Sequence, residues 1–244
     1  MNNNIIFRQL FEKESSTYSY ILADKETKES VIIDPVVETA RRDIQLINEL
    51  WLKLKYILET HIHADHITGS TILKEAFPQA KTVVGSKNTD VKCADIFVWE
   101  WDVIEFGTHK IDVIETPGHT VGCVSYIYDN MVFSWDALLI RSCGRTDFQW
   151  WSAESLYHSL QKIFSLSDDV YVYPAHDYKW LEVSTLWEEK EFNEMIWRGE
   201  NKERFIEKMN NLDLDLPKKI HFAVPSNRVC WREKITDMSL LKTQ

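Results

Sequence analysis

Apolar residues fall in short stretches along the first third of the chain, each closed by a polar or turn-forming residue. Ile5–Leu10, Tyr18–Ala23 and Ser30–Asp34 read as strands, the third ending on Asp34-Pro35. From Glu38 to Leu52 the period changes. Ala40, Ile44, Ile47 and Trp51 share one face, the spacing of an amphipathic helix. Lys55–Thr60 is another apolar strand and runs straight into His61-Ile62-His63-Ala64-Asp65-His66. Gly69–Phe77 gathers Ile72, Leu73, Ala76 and Phe77 on one side and stops at Pro78, as a helix does.

Further strands are predicted at Lys81–Val84, Lys110–Glu115, Cys123–Tyr128 and Met131–Ser134, with Asp129-Asn130 as a two-residue hairpin turn. Ser152 can cap a helix carrying Leu156, Leu160, Ile163 and Phe164. A last strand, Val170–Tyr173, leads into Pro174-Ala175-His176-Asp177-Tyr178. The rest, from about residue 181 to 244, is mainly helical and charged. Two β-rich halves, each followed by helices, predict a layered α/β fold with two sheets face to face and helices outside. No repeat, low-complexity tract or linker interrupts it, so one domain spanning residues 1–244 is expected.

The formal charge of −10 argues against a nucleic-acid or anionic-membrane partner. No stretch approaches the roughly 20 apolar residues that span a bilayer. The first residues lack the basic start and apolar core of a signal peptide. Cys93, Cys123, Cys143 and Cys230 show no CxxC spacing, which suits a reducing compartment better than a disulfide framework. A soluble, cytoplasmic protein is expected.

The chemistry concentrates after the strands. His61-x-His63-x-Asp65-His66 offers three imidazoles and one carboxylate within six residues, ligand chemistry for zinc, iron or manganese. In an extended chain His61 and His63 would point apart, so a curled loop is needed for both to converge. Three later elements also follow predicted strands: Thr116-Pro117-Gly118-His119-Thr120, Asp136, and Ala175-His176-Asp177-Tyr178. Each alone is an ordinary polar loop. Together they set His and Asp at successive strand ends, where a layered sheet assembles a site from distant sequence.

This constellation resembles the metallo-β-lactamase superfamily, marked by HxHxDH followed by later His, Asp and His ligands. The strings LKLKYILETHIHADHITGS, TPGHTVGC, DALLIRSCGRTDFQ, YPAHDYK and AVPSN are similar to the persulfide dioxygenase branch. The match runs from about residue 5 to 231, and DALLIRSCGRTDFQ is its specific part. The resemblance implies an αββα sandwich with His61, His119 and Asp136 holding one Fe(II). Such a facial triad leaves positions open for sulfur and dioxygen. The implied reaction takes glutathione persulfide and O2 to sulfite and glutathione. A homodimer is the assembly often found in that branch.

His63, Asp65, His66 and His176 hold a second metal in dinuclear relatives; here the resemblance implies an outer hydrogen-bonded layer. Asp34 either joins that layer or is a turn carboxylate. Arg145, Asp147 and Tyr178 are implied for the glutathione moiety, with a structural Arg145–Asp147 ion pair as the alternative. Cys143 and Cys230 are either oxidisable or simply packed thiols. The competing activity is a dinuclear-zinc hydroxyacylglutathione hydrolase of the glyoxalase II type, using Zn(II) on the same ligands.

Departures from the family pattern concentrate on one residue type. Tryptophan replaces the glycine of relatives at Trp51, Trp101, Trp135, Trp180 and Trp231, and the same exchange is expected at Trp150, Trp151 and Trp187. The chain holds 10 Trp and only 7 Gly, and together they make up about the 7% that Gly alone ordinarily supplies. One cause accounts for all of this: UGA codons that the source organism reads as glycine, translated as tryptophan. Glycine is therefore expected at these positions in the native protein.

Overall fold

The computed structural model describes residues 4–147, 151–177 and 180–229. The first sheet has the order β1 (Ile5–Glu12), β2 (Thr17–Asp24), β3 (Glu29–Ile33), β4 (Lys53–Leu58), β5 (Lys81–Gly85), β6 (Ile96–Val98). Its first three strands are antiparallel and the remaining pairings parallel. The parallel crossovers are made by α1 (Ala40–Glu49), which follows a single 3-10 turn, and by α2 (Ser70–Ala76). The second sheet comprises β7 (Val103–Phe106), β8 (His109–Glu115), β9 (Val124–Tyr128), β10 (Met131–Phe133), β13 (Tyr171–Tyr173) and β14 (Ser184–Thr185). A small ribbon, β11 (Leu138–Leu139) with β12 (Ser142–Cys143), lies between β10 and α3 (Ala153–Phe164) in the chain.

Alternation along the strands decides the layering. Tyr20, Leu22, Val31 and Ile33 from the first sheet meet Val113, Tyr126, Met131 and Phe133 from the second in one buried cluster. Their neighbours Ile21, Ala23 and Ile32 face the other way, onto Ile47 of α1 and Leu73 of α2. Val132 and Val172 face Leu156, Leu160 and Ile163 of α3 with Phe205 and Met209 of α5 (Lys202–Asn210). Both faces of each sheet are covered, giving the expected αββα sandwich. Two more helices, α4 (Leu186–Phe192) and α6 (Ile220–Arg228), complete the described elements. Among the described residues no helix is long and apolar enough to cross a membrane.

Two local departures from expectation have physical causes. The helix predicted to reach Leu52 stops at Glu49, because Trp51 turns the chain into the left-handed region at φ 55°. There Leu52 N donates to Ile47 O at 2.9 Å and Trp51 N to Asn48 O at 3.0 Å, the paired bonds of a Schellman cap whose left-handed position is usually glycine. Cys93 is disulfide-bonded, against the expectation of unpaired thiols throughout.

Candidate metal centre

Each site residue leaves the C-terminal end of a strand or the loop after it. β4 ends at Leu58, and the next residues curl instead of continuing extended. Thr60 N donates to Asp34 Oδ1 at 2.8 Å, and Val124 N to Thr60 O at 2.9 Å, so the loop is pinned to both sheets as it starts. β8 leads to His119, and β10 leads to Asp136 through a turn in which Ala137 N donates to Ser134 O at 3.1 Å. β13 leads to His176. Gly144, beside this turn, must be glycine: a Cβ there would lie 1.9 Å from the Asp136 carbonyl oxygen.

One ligand atom from each of His61, His119 and Asp136 lies within 4.8 Å of the others. His119 Nε2 stands 3.2 Å, and His61 Nε2 3.8 Å, from Asp136 Oδ2. His119 Nδ1 donates to the Arg145 carbonyl at 3.0 Å, which turns Nε2 to the carboxylate. His61 Nδ1 meets the Thr60 hydroxyl at 3.0 Å, and its buried Nε2 has no hydrogen-bond partner. Asp136 Oδ1 is buried without a hydrogen bond, with His176 Nε2 beside it at 3.4 Å. Burial, reinforced by His63 and His119 beside it, pushes the His61 imidazolium well below its ordinary range. Two imidazole nitrogens and a carboxylate oxygen converging on one point, with the buried His61 Nε2 lacking a hydrogen bond, fit a metal ion.

His63, Asp65 and His66 form a second such group, its ligand atoms within 4.8 Å of one another. Asp65 Oδ2 contacts His66 Nδ1 at 3.0 Å and His176 Nε2 at 3.7 Å, and His176 Nε2 lies 3.4 Å from Asp136 Oδ1. Burial opposes ionisation of Asp65, yet His66 and His176 hold its carboxyl well below the usual range. His63 Nε2 turns away from this group. It lies 3.0 Å from Asp34 Oδ1 and 3.4 Å from Glu59 Oε2. Burial opposes a charge on His63, but the flanking Asp34 and Glu59 carboxylates hold its imidazolium well above its ordinary value.

Asp34 thus belongs to the hydrogen-bonded surroundings of the site and is no simple turn carboxylate. Glu59 had no place in the sequence reading. It accepts from Thr68 Oγ1 and Ser70 Oγ as well as facing His63. Its signal was present: an acidic residue just inside the end of an apolar strand that meets three histidines.

A cavity of about 550 Å³ opens above these residues, with His119, Asp136, His176, Arg145, Trp151 and Met195 among its lining. Arg145 Nε and Nη2 donate to Asp147 at 2.7 and 2.6 Å, and the guanidinium also reaches the carbonyls of Leu214 and Asp215 at 3.0 and 2.6 Å. The ion pair expected as an alternative is formed. Tyr178 lies outside the described residues, as does Cys230. Cys143 is a packed thiol: burial pushes it up to about 12, and its Sγ lies 3.7 Å from Met209 Sδ.

The tryptophans divide by backbone. Trp51, Trp101, Trp135 and Trp180 have φ of 55°, 67°, 40° and 62°, while Trp99, Trp151, Trp187 and Trp197 have no positive φ. The Trp135 indole is buried with its N–H unpartnered, 5.1 Å from the His63 ring and 6.3 Å from that of His61, centroid to centroid. Trp151 tilts over His119 at 4.5 Å. Trp150 and Trp231 lie outside the described residues.

Residues 13–176 match the family model of the metallo-β-lactamase superfamily, and with this fold and ligand order the chain belongs to that superfamily. The chain is 48% identical to a mitochondrial persulfide dioxygenase of Mus musculus ("Persulfide dioxygenase ETHE1") over 93% of this chain and 89% of that protein. The crystal structure of ETHE1 from Myxococcus xanthus superposes with a TM-score of 0.88 at 46% identity, covering 92% of this chain and 99% of that one. At this identity and coverage the chain belongs to the persulfide dioxygenase family. Hydroxyacylglutathione hydrolase of Rhizobium meliloti (strain 1021) is more distant, 35% identical over 69% of this chain and 65% of that protein.

Proposed function

We propose that the protein is an iron-dependent persulfide dioxygenase acting on glutathione persulfide. The observation that carries this reading is the cluster of His61, His119 and Asp136, two of which, His119 and Asp136, line a cavity of about 550 Å³. Its balance is one glutathione persulfide, one O2 and one water giving glutathione, sulfite and two protons. Fe(II) held by these three side chains would supply the redox chemistry of oxygen and an open face for the substrate sulfur.

The chain's own contribution is orientation. The Arg145 carbonyl fixes the His119 tautomer, and Thr60 orients the His61 ring. His176, 3.4 Å from Asp136 Oδ1, and Asp65 beyond it steady the third ligand. The apolar wall of Leu139, Ile140, Met195 and Leu214 limits water around the sulfur. Arg145 and Asp147, paired at the cavity, are assigned to the glutathione moiety, with Asp147 giving way to a substrate carboxylate.

We also infer glycine in the native chain at positions 51, 101, 135 and 180. The positive φ at all four supports this. At Trp151 and Trp187 the backbone supplies no such reason.

Oxygen uptake tests the function. Iron-loaded protein with glycine at those four positions should consume O2 with glutathione persulfide and release sulfite. Hydrolysis of S-lactoylglutathione by zinc-loaded protein, without O2 uptake, would instead favour the thiolester hydrolase.

A further inference from the structure

The curled loop from His61 to Thr68 carries four of the seven His and Asp side chains around the centre, yet it has no regular secondary structure before α2. Val37 N donates to Ile67 O at 2.9 Å and Thr68 Oγ1 to Glu59, but three further main-chain groups of the loop are held from far away in the chain. Asn227, in the last turn of α6, is buried among the loop's main-chain groups. Its Nδ2 donates to the carbonyl of His63 at 2.9 Å and to that of His66 at 3.0 Å. Its Oδ1 accepts from Thr68 N at 3.0 Å. Both amide protons and the amide oxygen are thus spent on three backbone groups of one short loop.

The helix itself is tied down independently. Lys92 N donates to Arg228 O at 2.9 Å, Arg228 pairs with Asp90 at 3.0 Å, and Ala223 packs with Val37 as well as with Ile67 of the loop itself. Asn227 is therefore held from behind while it holds the loop in front. A planar amide of fixed length bridges the backbones of residues 63, 66 and 68, the stretch that follows His61 and carries His63 toward Asp34.

We propose that Asn227 is a positioning residue of the metal centre, clamping the ligand loop through its backbone and making metal affinity depend on the docking of α6. The proposal rests on the reading that His61, His119 and Asp136 hold a metal ion. Side chains that orient ligands are typically worth about 10- to 100-fold in metal affinity.

The test is anaerobic titration of apo protein with Fe(II), in parallel with Zn(II). Asn227→Ala should weaken binding about 10-fold or more. Asn227→Asp is isosteric and keeps the acceptor for Thr68 N, but sets a carboxylate oxygen against two carbonyls. It should weaken binding at least as much as Ala. Lys202→Ala, which breaks only an exposed ion pair between α5 and Glu154 of α3, should bind like wild type. Folded Asn227 variants that bind within twofold of wild type overturn the proposal, as does an Asp variant with wild-type affinity, since packing alone would then explain the position. If both variants fail to fold, the Thr68 amide of the wild type decides: exchange as slow as β4 amides supports the clamp, and exchange at an open-loop rate overturns it. Wild-type protein that binds neither metal defeats the metal reading and this proposal together. Tight wild-type binding with unaffected variants defeats this proposal alone.

Discussion

Replacing three tryptophans at once, Trp51→Gly, Trp101→Gly and Trp180→Gly, should raise thermal stability. Removing a tryptophan ordinarily costs packing, but these side chains are 82%, 63% and 90% exposed, so little packing is at stake. The backbone dominates instead. A left-handed conformation costs a non-glycine residue about 1–2 kcal/mol, whereas glycine enters it without that strain. The freer unfolded chain of a glycine variant offsets about 0.4–1 kcal/mol of the gain. The net is about 0.5–1 kcal/mol per site. The sites lie on three different connections, after α1, between β6 and β7, and after β13, so the effects should add to about 1.5–3 kcal/mol. At roughly 2–4 °C per kcal/mol for a chain of this size, Tm should rise by roughly 3–12 °C. Calorimetry on the two proteins, both metal-free, measures it. An unchanged or lower Tm in the triple variant would refute the reasoning, because it would mean that the indoles stabilise the fold or that the left-handed turns carry no strain.

Trp135→Gly probes the buried case: in a core built around an indole the loss would be about 3–5 kcal/mol. We expect a much smaller fall in Tm and tighter Fe(II) binding, and a fall of the full size with weaker binding would show that the indole is native packing. Asp136→Asn should abolish the stabilisation by metal, which in the wild type amounts to about 2.7 kcal/mol at a metal concentration 100 times Kd; melts with and without chelator read it out, and an undiminished shift would remove Asp136 from the ligand set. Asp24 governs part of the acid response. Although burial opposes ionisation, hydrogen bonds from Thr108 N and Oγ1, Thr27 N and Glu26 N hold its carboxyl well below the usual range. A depressed folded-state value means that its stabilisation is complete above the unfolded value of about 3.9 and disappears as pH falls through the folded one. Asp24→Asn should therefore cost about 2 kcal/mol at pH 7, with the gap from wild type closing only below about pH 4; a gap that closes already near pH 6 would contradict the assignment.

The long strands and the helices of the first 180 residues could be read from spacing because their apolar faces are continuous. The hairpin at Asp129-Asn130 held as well, with Asp129 at φ 54°. Most short pieces could not: β6, β7, β11, β12 and β14 span two to four residues each and hold too little of a period, although β10 and β13, at three residues, were read. The candidate ligands were legible for a related reason, since each is a chemically distinctive residue at a strand end. Glu59 and Asn227 were not. Glu59 draws its meaning from two hydroxyls some ten residues on, and Asn227 from backbone groups about 160 positions away. A residue that acts on main chain leaves no trace in the identity of its partners.

The tryptophans show how backbone geometry can sort positions that sequence treats alike. Eight positions were grouped by composition and resemblance, and six of them are described. Four sit in the left-handed region, three of them in settings that explain why. Trp51 occupies the left-handed place of a Schellman cap. Trp101 is the third residue of a turn closed by Asp102 N donating to Trp99 O at 3.1 Å, and Trp135 is the second residue of the Ser134–Ala137 turn. Positive φ at those turn positions favours glycine. Trp151 and Trp187 differ: one lies over His119, and the other opens α4 and packs against Phe192. If one decoding cause produced all six, the gene should carry the same codon at every one. If UGA stands at positions 51, 101, 135 and 180 but UGG at 151, the aromatic wall over His119 is native. The cavity above the metal ligands is then shaped by a real indole, and Trp151→Gly should loosen substrate binding instead of restoring it.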